Sequence, residues 1–172
     1  MARSVTILGT VHQIQGAENS PRKNTNIEDS FYLTLVDQFL QGRDFAFEEA
    51  SEYGPTKLKR RAARIGYLDV DPHPDKREAL GIGPTGAPHL VNPMGQFSDS
   101  YWEEFESEHS KREDHWLKGI TGTNFENALF VCGFLHTFSV AGKLRLAGFE
   151  VGTWIYIPYS KLCPCGPHTD ST

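Results

Sequence analysis

The chain of 172 residues has no long apolar segment. None of its hydrophobic runs approaches the roughly 20 residues that a membrane-spanning helix needs. The opening stretch, MARSVTILGTVHQ, returns to polar residues too soon to form the apolar region of a secretory signal. We therefore expect a protein that neither spans nor binds a membrane, and we place it in the cytoplasm.

An excess of basic residues is also missing. Lys and Arg number 17 against 22 Asp and Glu, so the formal net charge is -5, which argues against a general nucleic-acid binder. The hydrophobic share of 38% is typical of a globular protein with its own core. The length predicts a single α/β domain over residues 1–160, followed by a C-terminal tail, 161–172.

Cysteine is scarce, with only 3 in the chain. Cys132 lies in an apolar run and is expected to be a small buried side chain. Cys163 and Cys165, with His168, could form a metal clip. They lack both the usual Cys-x-x-Cys spacing and a second matching pair, so an unstructured tail is the preferred interpretation.

Short apolar runs alternate with amphipathic segments along the chain. This alternation predicts a three-layer α/β fold, with a mostly parallel sheet of about five strands flanked by helices. We predict strands at 5–8, 45–48, 67–71, 128–132 and 153–157, and helices at 27–40, 56–66, 99–118 and 137–147. Residues 13–26 are predicted to form a loop. Five prolines and four glycines within 72–100 predict a long irregular loop, a kind of segment that often binds ligands.

Polar side chains follow four of the predicted strands. In open parallel sheets, ligands bind at the carboxyl ends of the strands. The residues that reach this edge are His12, Glu48, Glu49, Asp69, Asp71 and His136. Both histidines stand in the same frame, Gly-x-x-His, starting at Gly9 and at Gly133. One such histidine is more often a satisfied core or loop residue, but two in matching frames favour a site. Two imidazoles and a carboxylate are typical of a metal site or of an acid–base pair.

The predicted helix over 99–118 carries a set of residues at intervals of three and four, which places them on one face. They are Trp102, Phe105, His109, Arg112, Trp116 and Ile120. The aromatic residues make this the inward face, so Arg112 is expected at its margin. A buried guanidinium needs a partner, and Glu48 or Glu49 could provide one. The alternative is that Arg112 extends along the helix to water.

These motifs together resemble the erythromycin esterase/ChaN-like superfamily, which includes the TraB and Tiki proteins. The resemblance spans residues 5 to 140. It comprises Gly9–His12, a strand ending in Glu48-Glu49, Arg112-Glu-Asp-His-Trp116 on a helix, and Gly133–His136. It implies an α/β core and an active cleft lined by the two histidines, a glutamate and the arginine. The acidic position is doubled in this chain. We prefer Glu48, with Glu49 beside it, and the choice stays open.

We therefore expect a hydrolase that acts on an ester or amide bond of a small-molecule or peptide substrate. The expected catalytic residues are His12, Glu48, Glu49, Arg112 and His136. A divalent metal (Mn, Co or Zn) held by His12, Glu48 and His136 would activate water; without a metal, His12 would be the general base. The alternative is a binding module for a metal, haem or a small metabolite that uses the same cleft without turnover. An oligomer is possible.

Overall fold

The computed structural model describes residues 2–15, 27–50, 56–82 and 101–158. Five strands form one sheet in which all neighbouring strands are parallel. They are β1 (Ser4–Thr10), β2 (Phe45–Glu48), β3 (Gly66–Asp69), β4 (Asn127–Gly133) and β5 (Glu150–Tyr156). Their order across the sheet is β3-β2-β4-β1-β5. The predicted α/β fold with a parallel sheet of five strands is confirmed.

Six α-helices lie within the described residues. They are α1 (His12–Gln15), α2 (Ile27–Leu40), α3 (Lys57–Arg61), α4 (Pro74–Arg77), α5 (Tyr101–Gly122) and α6 (Thr137–Leu146). The predicted bounds of α2 are correct, and Gly42 follows this helix with a φ of 71°, the left-handed conformation that favours glycine.

Helices α1, α3 and α5 differ from the prediction, and α5 continues to Gly122, beyond the predicted end at residue 118. Helix α3 is shorter than the predicted 56–66, because Gly66 already donates its N–H to Asp44 at the start of the β2–β3 ladder. The residues between Arg61 and Gly66 therefore form the turn that connects α3 to β3. Helix α1 lies at the start of a segment predicted to be a loop, in which residues 16–26 are outside the described ranges.

The predicted Pro/Gly-rich loop is only partly described. Its first part contains α4 and a 3-10 helix, Glu78–Leu80. Pro74 starts α4, a position where proline is favoured because its fixed φ suits a helix and its missing N–H is not needed. Residues 83–100 of the predicted loop lie outside the described ranges, as does the predicted tail, 161–172.

The sheet has an apolar core on each face. On one face β-strand residues such as Ile7, Phe47 and Phe130 pack with Trp116 of α5 and Leu144 of α6. On the other, strand residues pack with Tyr32 and Val36 of α2 and Leu58 of α3. The sheet is therefore the middle of three layers, as predicted. Cys132 is buried in the first core, also as predicted. In the described ranges, no helix combines the length and apolarity needed to cross a bilayer.

Strands β1 and β4 are neighbours near the centre of the sheet. Gly9 pairs with Cys132 and Thr10 pairs with Gly133, so the two strands end side by side. The Gly-x-x-His motifs, which are far apart in sequence, therefore leave the sheet at the same edge.

Candidate functional site

Three side chains converge where β1, β2 and β4 end. The Nε2 atom of His12 lies 3.6 Å from Oε1 of Glu49, and the Nε2 atom of His136 lies 4.0 Å from the same oxygen. Glu49 and His136 are buried, whereas 48% of the His12 side chain is exposed. The site thus has one imidazole open to solvent and one enclosed by protein.

Glu49 is held by both of its carboxylate oxygens. Arg112 Nη2 donates to Oε1 at 2.8 Å, and the backbone N–H of Gly133 donates to Oε2 at 2.8 Å. The expected pairing of Arg112 with a glutamate is therefore present, and the partner is Glu49. Because the donors come from α5 and β4, the carboxylate is fixed in position relative to both histidines.

Glu48, the preferred residue in the sequence prediction, points to the other face of the sheet. Its Oε2 accepts hydrogen bonds from the hydroxyls of Thr56 and Tyr67. Burial raises the pKa of Glu48 to about 8, although these two hydrogen bonds act in the opposite direction. The structure places Glu49, not Glu48, beside the histidines. Successive side chains of a strand alternate between faces, and this is the reason for the difference.

The glycines of the two motifs allow each motif to approach the other. A Cβ on Gly133 would lie only 2.7 Å from Nε2 of His12, so glycine is required for the imidazole to lie over this backbone. A Cβ on Gly9 would lie 1.9 Å from Oγ1 of Thr137 and 3.1 Å from the Cα of Phe134. The first motif therefore packs against the turn of the second, and the second leaves room for the histidine of the first.

His136 is fixed by residues of α5 and α6. Its Nδ1 lies 2.8 Å from Oε1 of Glu113, which also accepts a hydrogen bond from the Ser139 hydroxyl at 2.5 Å. Burial alone would raise the pKa of Glu113, but the hydrogen bonds from His136 and Ser139 and the nearby positive charge of Lys143 lower it. Glu113 is therefore an ionised acceptor, and the His136 Nδ1 is the donor. In the neutral form of the ring, this assignment leaves Nε2 unprotonated and facing Glu49.

Two aromatic rings enclose the His136 imidazole. His109 lies against it with ring centroids 4.3 Å apart, and Trp116 meets it edge-on at 4.8 Å. Burial, together with the positive charge of Arg112, lowers the pKa of His109 to about 4, so this ring is neutral at pH 7. These contacts restrict the rotation of His136 and keep its Nε2 directed to the edge of the sheet.

His12 has a partner of a different kind. Its Nδ1 lies 2.9 Å from the amide Oε1 of Gln15, which is one turn further along α1 and is buried. With the amide oxygen as acceptor, Nδ1 carries the proton and Nε2 is free to accept one. Both histidines therefore present the same ring nitrogen to Glu49, one supported by an amide and the other by a carboxylate.

A second buried carboxylate supports Arg112. Asp71 Oδ1 accepts from Arg112 Nη2 at 2.9 Å and from the indole N–H of Trp116 at 3.0 Å, and its Oδ2 accepts from Arg77 at 2.7 Å. The sequence had placed Asp71 at this edge without a role. Asp69, predicted at the same edge, accepts backbone N–H groups from Ala50 and from Asp71, so it fixes the end of β3.

His12, Glu49 and His136 provide the donor atoms for the expected divalent metal. Two imidazole nitrogens and one carboxylate oxygen are suitable ligands for Zn, Mn or Co. Two ligand atoms on a tetrahedral zinc lie about 3.3 Å apart, given bonds of about 2.0 Å. The nitrogen–oxygen distances of 3.6 and 4.0 Å are wider. Across the described residues, no group of three or more His, Cys, Asp or Glu is arranged to hold a metal ion. The ligand types therefore suit a divalent metal, but their atoms lie further apart than the ligands of a tetrahedral zinc site.

Sequence reasoning missed Glu113 and Gln15. Glu113 stands four residues after His109 and three before Trp116, so the helical spacing could have placed it on the inward face. Gln15 had no such signal, because its segment was predicted to be a loop. The side chains of Trp102 and Phe105, and the residues Cys163, Cys165 and His168, lie outside the described part of the structure.

Comparisons of the chain with protein-family models, with curated proteins and with solved structures found no match. The resemblance to the erythromycin esterase/ChaN-like superfamily therefore rests on the short motifs themselves and stays a prediction.

Proposed function

We propose that this protein is a hydrolase that cleaves an ester or amide bond at the edge formed by His12, Glu49, Arg112 and His136. One observation carries the proposal: two imidazole Nε2 atoms converge on one oxygen of Glu49, at 3.6 and 4.0 Å. Each ring is oriented through its Nδ1 by a buried side chain. Proton transfer requires such orientation, because a base must present an unprotonated nitrogen to the reacting group.

His12 is the general base in this proposal. It is the more exposed of the two histidines, so water and a substrate carbonyl can reach it. Its Nε2 would take a proton from water as that water attacks the carbonyl carbon, and Glu49 would stabilise the imidazolium that forms. His136, enclosed by its neighbours, would position Glu49 and the reacting groups.

Arg112 has a supporting role. Its hydrogen bonds go to Glu49 and to Asp71, and both carboxylates are buried. The guanidinium therefore holds the Glu49 carboxylate in place. Support for the glutamate agrees better with this geometry than contact with a developing oxyanion.

A divalent metal would be held by His12, Glu49 and His136 if these side chains moved closer together than the 3.6 and 4.0 Å that now separate their atoms. Such a metal would act as a Lewis acid and would lower the pKa of a bound water molecule to about 7. The tautomers deduced above suit this role, because histidines that bind a metal usually donate their other N–H to a carboxylate or carbonyl oxygen. The resemblance to the erythromycin esterase/ChaN-like superfamily, in which Tiki proteins look like metal-dependent peptidases, supports the same class of reaction.

The test is hydrolysis of a panel of esters and peptides by protein purified without a metal-carrying affinity tag, with and without added Mn, Co or Zn. We expect His12→Ala and Glu49→Gln to lower kcat/KM by at least about 100-fold, as is typical of removing a general base or its partner. The control is His73→Ala, which changes an exposed histidine outside the site. If wild-type protein hydrolyses nothing on the panel but binds a metal or haem in a His12-dependent manner, the binding-module alternative replaces the hydrolase.

A further inference from the structure

Among the described residues, strand β5 is an outer strand of the sheet and is bonded only to β1. The N–H of Glu150 donates to the carbonyl of Arg3, so residues in phase with Glu150 direct their backbone groups toward β1. The alternate residues, Val151, Thr153 and Ile155, direct theirs outward. Arg145 Nη2 donates to the carbonyl of Val151 at 3.0 Å from outside the sheet, which agrees with this assignment. Within the described residues, the outward groups of Thr153 and Ile155 have no hydrogen-bond partner.

Apart from Glu150 at its start, β5 has no charged side chain to protect this edge. Trp154 is 60% exposed and Ile155 is 44% exposed. Residues 151–157, VGTWIYI, contain no charge and no proline. Natural proteins usually protect outer strands with charges, proline, bulges or short length, because unpaired edges associate. The opposite outer strand, β3, has such features: it is only four residues long and ends in Asp69.

We propose that β5 pairs in antiparallel fashion with β5 of a second copy of this chain, so that two sheets join into one. A twofold axis beside Thr153 would bring Thr153 opposite itself and Val151 opposite Ile155. In this register, all three outward-facing residues exchange backbone hydrogen bonds with the second copy. The carbonyl of Val151 has two lone pairs and can keep its bond to Arg145 while accepting another.

The side chains complement one another in the same register. Trp154 would lie opposite Gly152 of the second copy, which has space for an aromatic ring: a Cβ at Gly152 would meet only Thr6 Oγ1, at 3.9 Å. An aromatic residue packed over a strand glycine stabilises a pair of strands. Because 151–157 is uncharged, the pairing brings no like charges together. The same stretch therefore serves both sides of a symmetric interface.

The experiment is sedimentation-velocity ultracentrifugation of the full chain over a wide range of concentrations. We expect a reversible dimer. Thr153→Pro removes an outward N–H that makes no bond to any described residue of the chain, so it should raise the dimer Kd at least 10-fold and leave the circular dichroism spectrum unchanged. The control, Thr153→Val, keeps the N–H and should remain dimeric.

A wild-type protein that stays monomeric at all concentrations overturns the proposal, and so does a folded Thr153→Pro protein that dimerises as tightly as wild type. Should Thr153→Pro fail to fold, Ile155→Lys provides a second variant. Its charge lies on an exposed side chain and would face the other copy, so the dimer should dissociate. A dimer that persists in Ile155→Lys would contradict the pairing. None of these outcomes depends on the proposed hydrolase activity.

Discussion

The imidazole of His12 lies over the backbone of Gly133, so close that a β-carbon at position 133 would stand 2.7 Å from its Nε2. The two residues belong to different Gly-x-x-His motifs on neighbouring strands. Gly133 therefore leaves room for the imidazole of His12, and Gly9 leaves room for the turn that contains Phe134 and Thr137.

Gly133→Ala should displace His12 and leave the fold intact. The φ and ψ of Gly133, −57° and 135°, are accessible to alanine, so the backbone itself creates no penalty. The added methyl group overlaps the imidazole, and a displacement of about 1 Å can lower a rate by about 100-fold. We expect a loss of about 10- to 100-fold in kcat/KM, together with a shift of the His12 imidazole signals in the NMR spectrum.

Gly142→Ala is the matched control. Gly142 lies inside α6, and nothing stands within 4 Å of the position that its Cβ would take. This substitution should stabilise the protein by about 0.5–1 kcal/mol, as alanine does in a helix interior, and leave the His12 signals in place. Unchanged His12 signals in Gly133→Ala would show that the two motifs do not pack in this way.

Gly9→Ala should destabilise the fold instead. Its β-carbon would overlap the side chain of Thr137 and press on the backbone of Phe134, so the turn between β4 and α6 must move. Overpacking of this kind costs about 1–3 kcal/mol. Removing the Thr137 hydroxyl in Gly9→Ala/Thr137→Ala should recover part of that loss in denaturant unfolding. Simple additivity of the two single substitutions would contradict the contact.

The sequence predicted the fold better than it predicted the site. Short hydrophobic runs located all five strands, and helical spacing located the longer helices between them. The three layers follow from this alternation of strands and helices. Both histidines were found because each motif is local. The choice between Glu48 and Glu49 could have been made from the strand itself: Phe45 and Phe47 face the α5 side, so the odd-numbered Glu49 belongs with them. Gln15 could not be found, because only the path of the chain after β1 brings it to His12.

Glu48 should make the protein less stable as the pH rises. Burial raises its folded-state pKa to about 8, whereas the unfolded value is 4.5. Between these values the folded chain binds a proton that the unfolded chain has released. The free energy of unfolding should therefore fall by up to about 1.4 kcal/mol per pH unit over this range, with the full stabilisation present below about pH 4.5.

The check is denaturant unfolding of wild type and of Glu48→Gln from pH 4.5 to pH 8. Glutamine is neutral at every pH and similar in shape, so the variant should have a flatter profile. A profile parallel to that of wild type would assign the pH dependence to other groups. Hydrolysis should be retained in Glu48→Gln, because Glu48 does not face the histidines.

Arg112→Ala should be strongly destabilising. It leaves the carboxylates of Glu49 and Asp71 buried without their shared cation. Removing one partner of a buried ion pair costs about 3–5 kcal/mol. Lys118→Ala, which removes an exposed cation from the same helix, should change stability by no more than about 0.5 kcal/mol. Similar unfolding midpoints for the two variants would contradict a supporting role for Arg112.

Glu113→Gln should weaken the protein at neutral pH and impair the site. The pKa of Glu113 is lowered in the folded state, so its ionised form stabilises the fold above its unfolded value of 4.5, and this contribution is lost as the pH falls through the lower folded value. The difference in unfolding free energy between wild type and Glu113→Gln should therefore be largest at pH 7 and shrink toward pH 3.

Glutamine can still accept from His136 Nδ1 but carries no charge, so kcat/KM should fall less than in Glu113→Ala. Asp114→Asn, which neutralises the adjacent exposed carboxylate on α5, is the control and should retain wild-type activity. A stability difference that is the same at pH 3 and pH 7 would mean that Glu113 is not ionised beside His136, and the tautomer assigned to that ring would have to be reversed.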